Sequence, residues 1–162
     1  AIRGSGVAIV RGRAAGARVG PRRRIEAVLI EGGGEVEAAE FVLATGGAAG
    51  GGIRFDGSIQ EPALGLPVFV GGKPAPEPTA GAGLDPRTLF GERPEGPHAL
   101  AGAGVRVDGG FRPLDREGMA VHPNLRAAGH VVACAEGAAP TDLADPGPPA
   151  LSGWRVARAM EK

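Results

Sequence analysis

FVLATGG, residues 41–47, decides the fold of this chain, because an unbroken apolar strand runs there directly into a Thr-Gly-Gly turn. Four consecutive apolar residues predict a strand that is covered on both faces. NLRAAGH, residues 124–130, repeats the pattern and predicts a second strand that ends near Gly129. The sequence therefore predicts an α/β fold with a remnant of parallel sheet, whose strands end at Ala44 and Ala128.

The first part of the chain, residues 1–47, is predicted to be a small β-meander. Three strand-like runs, at 6–13, 24–31 and 37–44, alternate with turns that are rich in glycine or contain proline. VAIV at 7–10 and AVLI at 27–30 each have the composition of a buried strand. The basic run at 22–24 is too short to indicate nucleic-acid binding, and we interpret it as the solvated start of a strand.

The middle of the chain, residues 48–123, is predicted to be a β-rich excursion on the substrate side of the molecule. Residues 71–97 carry many of the prolines and show little periodicity, which predicts a surface loop or lid. Residues 104–114 predict a short hairpin around the turn Asp108-Gly109-Gly110.

The last part, residues 124–162, is predicted to contain the returning strand, a loop and a terminal helix. Pro148 and Pro149 suit the first positions of a helix, and 150–162 contains no helix breaker except Gly153. The apolar side of this helix would consist of Leu151, Trp154, Val156 and Met160. We expect Trp154 to anchor the helix in the core.

Size and charge restrict the classes of function. A chain of 162 residues with 18 basic and 18 acidic residues is expected to form one domain that binds neither nucleic acid nor an anionic membrane. The single Cys134 excludes an intrachain disulfide and is expected to be a small buried residue, and no Cys/His cluster offers metal ligands. No apolar run approaches the roughly 20 residues that span a bilayer, so we expect no direct membrane insertion and a cytoplasmic location.

Motifs for acid–base or nucleophilic chemistry are scarce. GxSxG, HExxH and P-loop patterns are absent from the sequence, which gives a hydrolase little support. His98 and His122 lie in proline-rich turns and are expected to be exposed structural residues, whereas His130 follows a strand-end glycine, and both a structural and a binding role stay open for it. The two strand-end turns and the helix start at 149–152 offer backbone amides that suit a dinucleotide or a flavin.

Four pieces of sequence carry a family resemblance: FVLATGG at 41–47, GGGI at 50–53, QEPALGL at 60–66 and NLRAAG at 124–129. Together they resemble the C-terminal part of the B-type subunit of the anaerobic glycerol-3-phosphate dehydrogenases. The resemblance implies a partial FAD/NAD(P)-binding-type fold with FMN or FAD as cofactor. It implies oxidation of glycerol 3-phosphate to dihydroxyacetone phosphate, with electrons passing towards a membrane quinone. The implied partners are a catalytic flavoprotein subunit and a membrane-anchoring iron–sulfur subunit, which would place the chain on the inner membrane face.

The resemblance also implies a set of site residues, while it identifies no catalytic residue. Beside the cofactor would lie Thr45, Gly46 and Gly47. Beside its ribityl or phosphate portion would lie Gly129 and His130. Near its ring would lie Ala150, Leu151, Ser152 and Gly153. On the substrate side would lie Glu61 and Pro62.

The sequence departs from the family pattern at three places. It contains no glycine-rich dinucleotide-binding turn, so we expect binding to be completed by an N-terminal segment. Pro146-Gly147-Pro148-Pro149 stands where relatives have a triple glycine, and His130 stands where many have an acid. Three interpretations stay open: part of the flavin-dependent dehydrogenase, a flavin-free interaction or scaffold module of the same fold, or an FAD-linked reductase that acts on another substrate.

Overall fold

The computed structural model describes residues 6–48, 50–55, 58–75, 102–133 and 147–161. In these residues ten short strands form four small sheets, and one α-helix follows them. The strands are β1 (Ala14–Val19), β2 (Ile25–Ile30), β3 (Glu35–Glu37), β4 (Phe41–Leu43), β5 (Arg54–Phe55), β6 (Ile59–Gln60), β7 (Val68–Val70), β8 (Lys73–Pro74), β9 (Gly104–Val105) and β10 (Leu125–Ala127). Short 3-10 turns lie at Pro21–Arg23 and Gly129–Val131, and the helix, α1, is Gly147–Met160.

The meander is present, but its first strand is not where the sequence predicted it. Strands β1, β2 and β3 pair antiparallel in that order, and the ladder begins where the Glu31 amide donates to the Arg13 carbonyl (2.8 Å). The strand predicted at 6–13 is wrong, because in the described part of the chain none of these residues lies in a strand, and β1 begins only at Ala14. Val7, Ile9 and Val10 are 59%, 69% and 59% exposed.

The run predicted as one strand at 37–44 is split between two sheets. Its start belongs to β3 of the meander, and Phe41–Leu43 forms β4, which pairs in parallel with β10. Leu125 lies opposite Phe41 and Ala127 opposite Leu43, so the predicted parallel pair is confirmed. The prediction that this strand is covered on both faces is wrong: Leu43 is buried, but Val42 on the other face is 44% exposed.

The excursion is β-rich in its described parts. Strands β5 and β6 form a hairpin, and β7 pairs with both β8 and β9 in the order β8-β7-β9. The predicted hairpin around Asp108 is confirmed by the bridge between Val107 and Pro113 and by the bond from the Asp108 amide to the Arg112 carbonyl (3.0 Å). Of the lid predicted at 71–97, only 71–75 lies within the described residues.

The terminal helix is confirmed and begins earlier than predicted, at Gly147. Pro148 and Pro149 occupy its first turn, where a missing N–H leaves no intrahelical bond unmade. The predicted apolar side is wrong, because only Val156 is buried, at 2% exposure. Trp154 is 58% exposed and lies against the Arg158 guanidinium, 5.2 Å from the ring centre, so it does not anchor the core.

One buried polar residue joins these pieces. Asn124 is 1% exposed and precedes β10. Its side-chain oxygen accepts from the Ile25 amide (2.9 Å), and its side-chain nitrogen donates to the carbonyls of Ile25 (2.8 Å) and Ala39 (2.9 Å). Its own carbonyl accepts from the Phe41 amide (2.9 Å). A single side chain therefore connects the meander, the start of β4 and the start of β10.

Asn124→Ala is expected to lower the free energy of unfolding by about 2–4 kcal/mol, because it removes the hydrogen bonds of two buried backbone groups, the amide and the carbonyl of Ile25. Urea denaturation measures the change. Gln60→Ala, which removes an exposed amide that bonds the Ser58 hydroxyl, is the control and should change the free energy by about 1 kcal/mol or less. Equal effects of the two substitutions would contradict the role assigned to Asn124.

The Asp108 hairpin is expected to loosen in acid. Burial would raise the pKa of Asp108, but the hydrogen bonds from the Arg112 and Gly110 amides and from the Arg112 side chain lower it below its ordinary value. A lowered folded-state pKa means that the unfolded chain takes up the proton first, so this stabilisation is complete above the ordinary carboxyl pKa. It is lost as the pH falls through the folded-state pKa.

The amide chemical shifts of Gly110 and Arg112, followed by NMR during an acid titration, test this expectation. Asp108→Asn should remove the transition at both amides. Glu117→Gln, which removes an exposed carboxylate of the same region, should leave the transition unchanged. A transition that survives in Asp108→Asn would show that another group titrates there.

Candidate functional site

The parallel pairing of β4 and β10 brings two predicted site segments together. Because both strands run in the same direction, their carboxyl ends meet at one edge, and the turns at 45–47 and 129–130 follow directly. The backbones touch: a Cβ atom on Gly47 would lie 2.8 Å from the His130 carbonyl oxygen. Only glycine fits at position 47 while the two turns are this close.

The glycine turn after β4 folds back on itself. The Gly47 carbonyl accepts from the amides of Gly50 (3.2 Å) and Gly52 (3.0 Å), and a Cβ atom on Gly52 would overlap the Gly46 carbonyl. The amides of Gly50 and Gly52 are therefore engaged within the turn. No backbone carbonyl of the described residues accepts from the amides of Thr45 to Gly47.

The start of α1 is attached to the second turn through Ser152. The Ser152 hydroxyl donates to the Pro149 carbonyl (2.7 Å) and accepts from the Gly129 amide (2.8 Å). The turn at 45–47, the turn at 129–130 and the helix start at 150–153 therefore lie together. The Gly129 amide is already hydrogen-bonded, because it donates to Ser152. Gly129 has a φ of +82°, and in the described part of the chain no atom lies within 4 Å of the position that a Cβ would take.

His130 carries an unusual buried atom. Its ring nitrogen Nε2 is buried and has no hydrogen-bond partner in the described part of the chain. Leaving a buried polar atom without a partner costs roughly 1–3 kcal/mol. Such an atom in a native fold requires an explanation, and a ligand bound beside the turn would provide one.

The two residues predicted on the substrate side have different positions. Glu61 is 1% exposed, and its carboxylate accepts from the amides of Ala63 (2.8 Å), Leu64 (2.8 Å) and Leu66 (3.4 Å). It organises its own loop, and its oxygens are occupied there. Pro62 lines a cleft of about 260 Å³ together with Thr45, so the structure brings these two predicted residues together.

The structure describes the positions of some of the remaining predicted residues. Ala150 and Leu151 are exposed near the start of α1, and no atom of the described residues lies within 4 Å of the position that a Cβ on Gly153 would take. His122 is half-buried, not exposed as predicted, and its Nδ1 contacts the Arg23 carbonyl (2.7 Å), a structural contact. The predictions for His98 and Cys134 fall outside the described residues.

Two functional features escaped the sequence reasoning. Asn124 belongs to the motif NLRAAGH at 124–130, but nothing in the motif shows that its side chain forms hydrogen bonds with the Ile25 backbone. Arg13 lines the cleft of Thr45 and Pro62, yet it lies in a segment that was predicted to be a strand. In both cases the signal is a contact between distant residues, which the linear pattern does not contain.

A larger open groove, of about 800 Å³, lies on the meander and includes none of the predicted site residues in its described lining. Most of its charged residues have partners: Arg18 pairs with Glu26, Glu35 and Glu37, and Arg24 pairs with Glu40. The hydrogen bond to Glu35 is the main reason why the pKa of Arg18 is raised above its ordinary value. Because these groups are exposed, the network contributes little to stability and gives no reason to place a ligand there.

The strand-end turns suit a dinucleotide cofactor. Residues 44–52 and 125–133 contain no acidic side chain, so phosphates would meet no like charge from these residues. The guanidinium of Arg126 in the second segment is already paired with Glu40. The open amides of 45–47 and the unpartnered His130 nitrogen are donors or acceptors that such a ligand could use. The start of α1 suits it less well, because Pro148 and Pro149 have no N–H.

Two kinds of site are not found within the ranges that the structure covers. These residues contain no group of three or more side chains that could hold a metal ion. Nor do they include a helix long and apolar enough to cross a bilayer.

Comparison with known proteins agrees with the resemblance found in the sequence. Two relatives from Halobacterium salinarum, one in strain R1 and one in strain NRC-1, are each 40% identical over 97 residues. Both are named as the probable B-type subunit of an anaerobic glycerol-3-phosphate dehydrogenase. The match covers 59% of this chain and only 20% of each relative, so the chain corresponds to about a fifth of their length. No solved structure gives a significant match.

The family model described as the FAD binding domain matches residues 1–142. This match confirms the FAD-binding-type α/β fold in its general class and supports FAD, whereas FMN, the other flavin that the resemblance implied, is not supported. Both strand-end turns and the cleft of Thr45 and Pro62 lie inside the matched region. The chain belongs to the FAD binding domain family.

Proposed function

We propose that this chain forms part of the FAD site of a flavin-dependent dehydrogenase that oxidises glycerol 3-phosphate to dihydroxyacetone phosphate. The observation that carries the proposal is the contact of Gly47 with His130 at the common edge of β4 and β10. This edge is where α/β sheets bind their ligands. The substrate is taken from the names of the Halobacterium relatives. The electrons would pass through partner subunits towards a membrane quinone.

When bound, FAD would supply an acceptor for the hydride that leaves the alcohol carbon of the substrate. The described residues contribute binding and orientation. The amides of Thr45, Gly46 and Gly47 would donate to phosphate oxygens or ring carbonyls. Nε2 of His130 would bond a ribityl hydroxyl or a phosphate oxygen, in place of the acid that the resemblance leads one to expect.

The remaining proposed roles follow the same geometry. Gly129 would let the ribityl or phosphate portion approach its open side, while Ser152 holds its amide. Residues 150–153 would lie near the ring, with the helix start favouring negative charge there. Glu61 would keep the loop of Pro62 in place on the substrate side through its three accepted hydrogen bonds.

A second function, a flavin-free interaction module, is favoured by one specific observation. The Gly129 amide is engaged by Ser152, and Pro148 and Pro149 replace donors at the helix start, so ring contacts are reduced at this end. The exposed Trp154 and Leu151 on α1 would then serve a protein partner, as a component of a larger enzyme requires. An FAD-linked reductase with another substrate would instead keep the cofactor contacts and differ only in the lid.

A fluorescence titration with FAD tests the proposal. The first sample is this chain, and the second is a form that carries the glycine-rich dinucleotide-binding segment of a relative joined upstream. Saturable quenching is expected with the second form and weaker quenching with the first, because the diphosphate of FAD needs that segment. If neither form quenched FAD fluorescence, the module without flavin would be the correct interpretation.

Gly47→Ala is expected to weaken FAD binding by the extended form at least tenfold, since the added Cβ would press on the backbone of His130. The matched control is Gly109→Ala, because no atom lies within 4 Å of the Cβ position there. The control should bind FAD like the parent. Unchanged binding by Gly47→Ala would contradict the proposed site.

His130→Leu is expected to separate binding from stability. Removing an unpartnered buried nitrogen should raise the free energy of unfolding of the ligand-free protein by about 1 kcal/mol, while FAD affinity of the extended form falls about tenfold. His122→Leu, which breaks a structural contact, should lower stability and leave affinity unchanged. If the FAD affinity of His130→Leu were unchanged, His130 would not belong to the cofactor site.

A further inference from the structure

The cleft beside the cofactor turn has a defined boundary and an uneven charge. Its volume is about 260 Å³, and its described lining consists of Gly12, Arg13, Ala14, Thr45, Gly51, Gly52, Pro62 and Ala63. Pockets for drug-sized ligands are about 300–1,000 Å³, so this cleft suits a smaller molecule. Arg13 is the only charged residue of the described lining.

Arg13 has no ion-pair partner among the residues that the structure describes. In the ranges that the structure covers, no carboxylate lies within ion-pair distance of Arg13, whereas Arg18 on the same meander pairs with three glutamates. The nearest acid in the lining sequence is Glu61, the neighbour of Pro62. Its oxygens accept from the amides of Ala63, Leu64 and Leu66, so they are engaged within the loop, and Glu61 is not part of the described lining.

The polar and steric features of the lining agree with an anionic ligand. Gly51 and Gly52 leave the cleft wall without side chains, and Thr45 is an exposed residue with a hydroxyl that can donate. A guanidinium recognises a phosphate through a planar pair of N–H donors. The cleft also adjoins the carboxyl end of β4, the edge at which the cofactor is proposed to bind.

We propose that Arg13 and the cleft of Thr45, Gly51, Gly52 and Pro62 bind a small oxyanion, the phosphate of a phosphate-monoester substrate. The inference rests on the proposed function and extends it by assigning substrate recognition to a residue outside every motif of the family resemblance. A diphosphate, as carried by the cofactor, is the other source of the same chemistry.

NMR titration of the full chain tests the assignment, with the amides of Thr45, Gly51 and Gly52 as reporters. Inorganic phosphate and glycerol 3-phosphate are expected to shift these amides, while glycerol, which lacks the charge, does not. Arg13→Gln should weaken phosphate binding about tenfold, the effect of losing one charged hydrogen bond. Arg11→Gln, which removes an exposed arginine two residues away and outside the described lining, should bind like the parent.

Three results would overturn the proposal. These are no shift at the reporter amides, an equal loss of binding in Arg11→Gln, or shifts by ADP at far lower concentration than by glycerol 3-phosphate. The last result would assign the cleft to the cofactor diphosphate. Because Arg13 contributes only its carbonyl to the β-ladder, Arg13→Gln should keep the parent's chemical-shift dispersion.

The FAD titration separates this inference from the proposed function. Arg13→Gln in the extended form should bind FAD with unchanged affinity. FAD binding without any phosphate binding would contradict the cleft assignment alone. Phosphate binding by a protein that never binds FAD would contradict the proposed function alone and leave the anion cleft in place.

Discussion

The structure depends on the side-chain amide of Asn124. In a chain with 30 glycines and 15 prolines, long strands and large apolar surfaces are scarce, so few backbone groups find partners within one sheet. Asn124 satisfies the amide and carbonyl of Ile25 and the carbonyl of Ala39, while its own backbone accepts from Phe41. An apolar residue of similar volume would fill the space and remove the side-chain hydrogen bonds of the buried Ile25 amide and carbonyl.

The position of the candidate site follows from these hydrogen bonds of Asn124. Because Asn124 aligns the starts of β4 and β10, their ends lie at the same level, and the two glycine turns come into contact. Ser152 then holds the helix start to the second turn through the Gly129 amide. Three segments that are distant along the chain therefore reach one edge through a short series of hydrogen bonds.

Polar side chains organise the loops in the same way elsewhere. Glu61 gathers three amides of its loop, and Asp108 gathers two amides and a guanidinium in its hairpin. In these loops a carboxylate accepts several hydrogen bonds at once, which strand pairing would otherwise provide. Arg13 is the only charged residue in the described lining of the neighbouring cleft, while the Glu61 carboxylate is engaged by its loop amides.

The linear sequence determined the local elements whose causes are local. The strand-to-glycine turns, the Asp108 hairpin and the terminal helix depend on apolar runs, glycine and proline, and all were predictable. The tertiary structure alone decided the pairing. Among the described residues, 6–13 belong to no strand, and the run at 37–44 is divided between two sheets. Trp154 is exposed because the helix packs through Val156 and Ser152. Contacts between residues far apart in sequence also produce three further features. These are the hydrogen bonds of the Asn124 side chain, the burial of the His130 ring nitrogen and the cleft that Arg13 lines. Hydrogen-bond partners and burial at such distances depend on how the pieces dock, which residue patterns do not encode.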